Sequence, residues 1–208
     1  MEVSTHLNAY RRDLEDKIVD AALKMFVAQG IKAVRMDDIA QHLHISKRTV
    51  YEIFGDKESL LIAGIKKHHD DLTSTMQYYE HFGSPTVIDV IVKYYRIQVE
   101  FGKDINPIFY SEIKKYPKVL ALLDERAQST KVAKKAFFER GVKEGYFRSN
   151  LDYVLVDRIG ELTLKSIMTN ELYKEFSMQK IFDNYMVAVI RGICTPSGVK
   201  LLEDAMKR

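Results

Sequence analysis

The residues best suited to hold or recognise another molecule are crowded into the stretch Asp37-Asp38-Ile39-Ala40-Gln41-His42-Leu43-His44-Ile45-Ser46-Lys47-Arg48-Thr49-Val50-Tyr51-Glu52-Ile53-Phe54. Lys47 and Arg48 bring positive charge, Thr49 and Tyr51 hydroxyls, and Glu52 a carboxylate. Ser46 stands in front of them with a good N-capping side chain. If Val50 and Phe54 turn inward, a helical step of about 100° places Arg48 and Glu52 on the opposite face and Thr49 and Tyr51 on its flanks. Lys47 lies at the helix N-terminus, where free N–H groups and the helix dipole favour a phosphate. Such a short, polar, partly basic face can meet phosphates and base edges. An ordinary helical hairpin with a solvated face accounts for the spacing equally well.

The elements that must carry these residues read as helices throughout. The first half of the stretch offers Ile39, Ala40 and Leu43 as an inward face, and Ile45 plugs the turn, so the pattern is helix, tight turn, helix. Ahead of it a helix is predicted from about Arg12 to Gln29, with Leu14, Ile18, Ala21, Ala22, Met25 and Phe26 on one side and Gly30 as its C-terminal cap. Short helices at about Met36 to Leu43 and Ser46 to Phe54 follow, then a longer one from Asp56-Lys57 towards Tyr79. Beyond Gly83-Ser84-Pro85, helices are predicted at Thr86 to Gly102, Pro107 to Lys115, Pro117 to Gly145, Asp152 to about Lys174 and Ser177 to Ile193, with a short one after Pro196. Strand-like alternation and Asn-Gly or Asp-Gly hairpin turns are absent, so the expected class is all-α.

Composition sets the outer limits. The 208 residues are 46% hydrophobic and 29% charged, enough for a sizeable core and unlike a disordered chain. The net charge of +3 is too small to establish a polyanion partner by itself, so any nucleic-acid footprint must be local. Cys194 has no cysteine to pair with, residues 1–10 lack the apolar core of a signal peptide, and apolar runs are far below the roughly 20 residues of a membrane span. The expectation is a cytoplasmic protein.

Gly30 to Leu61 resembles the DNA-binding segment of the TetR (tetracycline-repressor-like) family of bacterial transcriptional regulators. The similarity is carried by Ile39-Ala40, the block Ile45-Ser46-Lys47-Arg48-Thr49-Val50-Tyr51, Phe54 and Lys57-Glu58-Ser59-Leu60-Leu61. Gly145-Tyr146-Phe147-Arg148 resembles the family's bend before its last two long helices. The resemblance implies a three-helix head (residues 1–56) that reads DNA and a helical body (57–208) that binds a ligand and dimerises. On the matching positions it implies that Lys47, Arg48 and Thr49 approach base edges or phosphates, that Tyr51 contacts phosphate and that Lys57 meets the DNA backbone.

Four departures from the family pattern shape this reading. His44 occupies a turn position where glycine is usual, and must adopt a left-handed backbone there. Arg35 replaces a capping threonine, which leaves Asp37 and Asp38 to favour the helix N-terminus and releases Arg35 towards phosphate. Glu52 and Ile53 replace residues that are often aromatic or histidine. A carboxylate on a DNA-facing helix can accept from cytosine N4, so Glu52 is expected to influence sequence preference.

For the body, the resemblance implies an effector site and a four-helix dimer interface. The aromatic residues Tyr78, Tyr94, Tyr95, Phe109, Tyr110 and Phe137 are the candidate ligand-binding set, suited to a hydrophobic or aromatic effector, with plain core packing as the alternative for most of them. The apolar positions Leu155, Ile159, Leu162, Ile167 and Met168, with Gly160 between them, and Ile181, Phe182, Tyr185, Met186, Val189, Ile190 and Ile193 are the candidate dimer surface. Enzyme readings fare poorly. Ser111-Glu112-Ile113-Lys114 matches Ser-x-x-Lys without its partner motifs, and His68-His69-Asp70-Asp71 lacks a helical ligand pair, so neither a catalytic nor a metal site is expected and no cofactor is implied. The expected function is a homodimeric repressor that binds a palindromic DNA operator and is released by a small molecule. The alternatives are a helical small-molecule-binding protein with an inactive head, or a regulator that takes no ligand.

Overall fold

The computed structural model describes residues 2–207. Among them, regular structure is helical apart from an isolated antiparallel bridge between Phe147 and Cys194. Contacts divide the chain into two compact units. One comprises Met1–Leu72 with Ile105–Asp124, the other Thr73–Asp104 with Glu125–Arg208.

The first unit contains α1 (Glu2–Gln29), α2 (Met36–His42), α3 (Lys47–Phe54), the start of α4 (Lys57–Gly83), α6 (Pro107–Ile113) and the start of α7 (Pro117–Ser129). Helix α1 begins ten residues ahead of its expected start, since nothing before Arg12 breaks a helix. Its buried stripe includes Ile18, Ala22 and Phe26 as the periodicity predicts, and widens to Val19 and Val27. Ile39, Ala40, Val50, Leu60 and Leu61 close the core from α2, α3 and α4. Gly30 ends α1 with φ 90°, its N–H donating to the Phe26 carbonyl at 2.9 Å. A Cβ there would stand 2.7 Å from Ile108 Cγ2, so the glycine serves both the left-handed cap and the close approach of α6. The α2–α3 turn has the expected strained residue, His44 with φ 55°.

The second unit contains the rest of α4, α5 (Val87–Lys103), α8 (Lys131–Lys143), α9 (Tyr153–Thr169), α10 (Met178–Ile181), α11 (Val187–Ile193) and α12 (Pro196–Lys207). Its core gathers Val87, Ile88 and Val92 of α5 around Phe147, Ile193, Leu202 and Ala205. The bend after α8 is pinned on both sides. Arg148 N–H donates to the Ile193 carbonyl and Thr195 N–H to the Tyr146 carbonyl, each at 2.9 Å. The Phe147 ring lies against Gly141, where a Cβ would fall 1.9 Å from its Cδ2.

Two predicted helices are interrupted and a third is locally distorted. The helix expected over Pro117 to Gly145 breaks at Thr130, where Ser129 Oγ donates to the Arg126 carbonyl at 2.9 Å and Thr130 Oγ1 to the Ala127 carbonyl at 3.1 Å. These local bonds compete with the helical ladder. The helix from Asp152 stops at Thr169, because Glu171 turns left-handed at φ 56° and starts a 3₁₀ turn over Leu172–Lys174. The last long helix is continuous but locally widened into a π-helical segment over Phe182–Met186, between α10 and α11.

Candidate nucleic-acid interface

The surface of the α2–α3 pair is built on a tight turn whose Ile45 is half-buried. Ile45 N–H donates to the Ala40 carbonyl at 3.0 Å, which closes the turn. Ser46 Oγ accepts the Thr49 N–H at 3.1 Å and shares a 2.8 Å hydrogen bond with its hydroxyl, so the start of α3 is capped as its sequence predicts. Val50 is fully buried beneath the helix, and this fixes which face points outward. Lys47, Arg48, Tyr51 and Glu52 are exposed, and Thr49 is half-buried at the flank.

Two ion pairs cross this surface. Arg48 Nε donates to Glu52 Oε1 at 2.6 Å between side chains that are 85% and 57% exposed. Lys47 Nζ pairs with the Asp37 carboxylate of α2. Exposed pairs of this kind contribute roughly 0–1 kcal/mol, so they orient the cations without locking them away. The Arg48–Glu52 pair was legible as an i,i+4 spacing, whereas Lys47–Asp37 depends on the hairpin and leaves no local signal.

Arg35 is exposed at the N-cap of α2, and its backbone N–H donates to Asp38 Oδ2 at 2.7 Å. The acidic residue thus supplies the cap and the guanidinium stays outside it. Lys57 is placed differently from the others. Its Nζ donates to the carbonyls of Ile31 at 2.8 Å and Val34 at 2.9 Å, binding the start of α4 to the α1–α2 linker. Burial pushes its pKa down, Glu112 and Asp38 pull it up, and Arg35 adds a further downward push. At most one of its N–H groups remains for a phosphate. Five of the seven predicted DNA-facing residues therefore share α3, Arg35 caps α2, and Lys57 is largely engaged by the protein's own backbone.

The six aromatic residues do not gather in one unit. Phe109 is buried and Tyr110 half-buried in the first unit, and burial pushes the Tyr110 hydroxyl up to about 12. Tyr78, Tyr94, Tyr95 and Phe137 belong to the second. Tyr78 is 67% exposed and its ring lies tilted against Phe82, with ring centroids 4.6 Å apart. Tyr94 is also exposed, and its hydroxyl accepts from the Gln98 amide at 2.9 Å. The Tyr95 hydroxyl donates to the Asp183 carboxylate, and desolvation followed by that bond raises its pKa to about 12. Phe137 packs against Phe147 in the core, ring centroids 6.0 Å apart. The second unit does hold an open, mostly apolar cavity of about 430 Å³, lined by Thr163, Ile167, Leu172, Phe176, Lys180, Ile181, Asn184 and Tyr185. None of the six lines it; helical spacing registers apolar residues alike whether they face a core, a cavity or a partner.

A helix-turn-helix head with a capped, exposed second helix, joined to further helices, defines a DNA-binding protein of the regulator class. Residues 18–63 match the family model described as bacterial regulatory proteins, tetR family. The chain is 26% identical over 207 residues to the HTH-type transcriptional repressor KstR2 of Mycobacterium tuberculosis, covering 95% of this chain and 98% of that protein. It is 41% identical over 64 residues to the HTH-type transcriptional regulator BetI of Rhizobium meliloti, covering 29% of this chain and 32% of BetI. Its fold is similar to that of a TetR-family regulator from Agrobacterium tumefaciens, with a TM-score of 0.67 at 16% identity, covering 89% of this chain and all of that one. The solved structure of KstR2, a ketosteroid transcriptional regulator, aligns with a TM-score of 0.56 at 18% identity, over 87% of this chain and 95% of that one. Residues 18–63 thus carry a TetR-family DNA-binding segment, and the chain as a whole is similar to transcriptional regulators of that family. No helix among the described residues is long and apolar enough to cross a membrane.

Proposed function

We propose that this regulator is a repressor that binds a palindromic operator as a homodimer and is released by a small molecule with a hydrophobic body. Residues 1–56 read DNA in this scheme, and residues 57–208 carry dimerisation and effector binding. The observation that carries the reading is α3 itself: Lys47, Arg48, Tyr51 and Glu52 are exposed on a helix held from below by Val50 and capped by Ser46. That is the arrangement a major-groove reader requires. Arg35, Thr49 and the remaining N–H of Lys57 would add backbone contacts.

Dimerisation is supported by the exposed apolar side chains Leu155, Ile159 and Leu162 on α9, with open space at Gly160. A two-fold partner would cover them and set two copies of α3 about 34–36 Å apart, one turn of duplex. Repression is supported by the name of the relative KstR2. The ketosteroid named for that protein makes polycyclic and aliphatic hydrophobic compounds the first effectors to try. Release requires that the effector bind the non-DNA-binding state more tightly than the DNA-competent one, since equal affinity shifts nothing. Helix α4, which contributes residues to both units, is the natural lever.

The test is selection of duplexes from a random pool by the purified protein at two salt concentrations. An enriched inverted repeat, bound more weakly as salt rises, is the expected result. Failure to enrich any sequence would leave the protein as a helical small-molecule binder with a silent head.

A further inference from the structure

The α2–α3 pair is joined to α1 by a short linker, and hydrogen bonds hold that linker along its length. Lys57 Nζ donates to the carbonyls of Ile31 at 2.8 Å and Val34 at 2.9 Å. Between these two residues the Lys32 N–H donates to Glu112 Oε2 at 2.8 Å. At the end of the linker the Arg35 N–H donates to Asp38 Oδ2 at 2.7 Å. Asp38 and Lys57 belong to the helices on either side of α3, whereas Glu112 lies on α6, 80 residues beyond Lys32 in the chain.

Helix α6 is itself fastened to the end of α1. Its N-cap residue Asn106 donates its N–H to the Val27 carbonyl at 2.8 Å, and Asn106 Oδ1 accepts the Ile108 N–H at 3.0 Å. Gly30 leaves the room into which α6 fits, since a Cβ there would stand 2.7 Å from Ile108 Cγ2 and 3.2 Å from Glu112 Oε2. Glu112 is 6% exposed and the only buried charged side chain among the described residues. Burying a carboxylate is costly, and a well-packed apolar side chain often serves stability as well or better. What the carboxylate adds is direction, because its oxygen accepts from one backbone N–H at one place on the linker. Glu112 also favours the charged form of Lys57, against the burial that disfavours it. Its bond to Lys32 fixes the path by which the chain enters α2. Through the α2–α3 turn it thereby fixes the tilt of the helix that bears Lys47, Arg48, Tyr51 and Glu52.

We propose that Glu112 is a positioning residue for operator recognition: from its buried place it holds the α1–α2 linker so that α3 meets the groove at the angle its side chains require. The inference rests on the DNA-reading role of α3. Without the bond the linker samples several paths, and only the fraction of molecules with α3 correctly tilted binds the operator, which lowers the apparent affinity by that fraction. The sequence-independent attraction of Lys47 and Arg48 to phosphates needs no such alignment and survives.

The experiment titrates the full chain with its selected operator and with an unrelated duplex of equal length, for the wild type, Glu112→Gln and Glu112→Asp, at a temperature where circular dichroism shows each to be folded. Gln keeps the reach and an oxygen acceptor but gives up the charge. Asp keeps the charge but is one methylene shorter. Glu112→Asp is expected to bind the operator about tenfold more weakly and the unrelated duplex as the wild type does, while Glu112→Gln stays within about twofold of the wild type on both. Unchanged operator affinity in Glu112→Asp overturns the positioning role alone. A loss shared equally by operator and unrelated duplex also overturns it, since that marks a general weakening of the unit. So does a Glu112→Gln variant as weak on the operator as Glu112→Asp, which would make charge rather than the bond to the linker the deciding property. If the wild type selects no sequence, the DNA-reading role falls and the positioning role falls with it.

Discussion

Arg48 and Glu52 neutralise one another on the outer face of α3, so neither meets DNA as a lone charge. Opening the pair costs about 0–1 kcal/mol, less than the roughly 1–3 kcal/mol by which a bidentate base contact discriminates. Glu52 can therefore restrain Arg48 until the correct base pair offers a better arrangement. Glu52→Ala is expected to raise affinity for unrelated DNA several-fold and to change the preferred base at one position of each half-site, read by repeating the selection with the variant. An unaltered sequence preference would remove Glu52 from recognition. His44 presents a different trade. Its left-handed backbone, φ 55°, costs a residue with a side chain about 1–2 kcal/mol that glycine avoids. His44→Gly should raise the melting temperature by a few degrees while operator affinity stays within about twofold, checked by thermal denaturation and titration. This strain was legible through the family resemblance, which marks position 44 as one where glycine is usual. The engagement of Lys57 was not, because the carbonyls it bonds belong to a linker whose path only the packed unit defines.

At the scale of helices, what the sequence made legible follows from how far each determining interaction reaches. Gly30 and Ser46 act within one turn of themselves, and the helix ends they set lie where the residue types place them. The break at Thr130 is equally local, yet apolar periodicity runs past it and two hydroxyl groups decide the matter. The π-helical segment at Phe182–Met186 has no recognisable breaker at all. It includes Asp183, whose carboxylate receives the Tyr95 hydroxyl from α5, a contact between residues far apart in the chain. Helix α8 owes its place to a missing side chain. The ring of Phe147 occupies the space beside Gly141, so Gly141→Ala must displace a nearly buried aromatic in the core of its unit. The expected cost is about 1–3 kcal/mol, visible as a melting temperature several degrees lower. An unchanged melting temperature would mean that the bend after α8 yields easily.

For the molecule as a whole, the fold class was readable because helical periodicity repeats along the chain, and the helix-turn-helix because its residues crowd into one stretch that resembles a known family's. The effector site was not, since the aromatic candidates scatter over both units and an apolar side chain at helical spacing does not announce what it faces. The exposed row on α9 has the clearest consequence. Leu162, 51% exposed, is expected to become part of a dimer interface, and Leu162→Glu would bury an unpaired carboxylate there. The variant should sediment as a monomer at micromolar concentration with unchanged helical content, and its operator affinity should fall at least tenfold. A variant that remains dimeric would move the interface elsewhere.

The order in which the first unit's parts occur along the chain also governs its birth on the ribosome. Synthesis delivers α1, α2, α3 and the start of α4 early, then an entire stretch that belongs elsewhere, and only afterwards the segment Ile105–Asp124 that completes the same unit. Until Asn106 and Glu112 have emerged, the Val27 carbonyl and the Lys32 amide lack these partners. A nascent or prematurely terminated chain therefore carries the recognition helix on an unfinished support, and a transplantable DNA-binding module cut from this protein would need the α6 segment grafted back onto it.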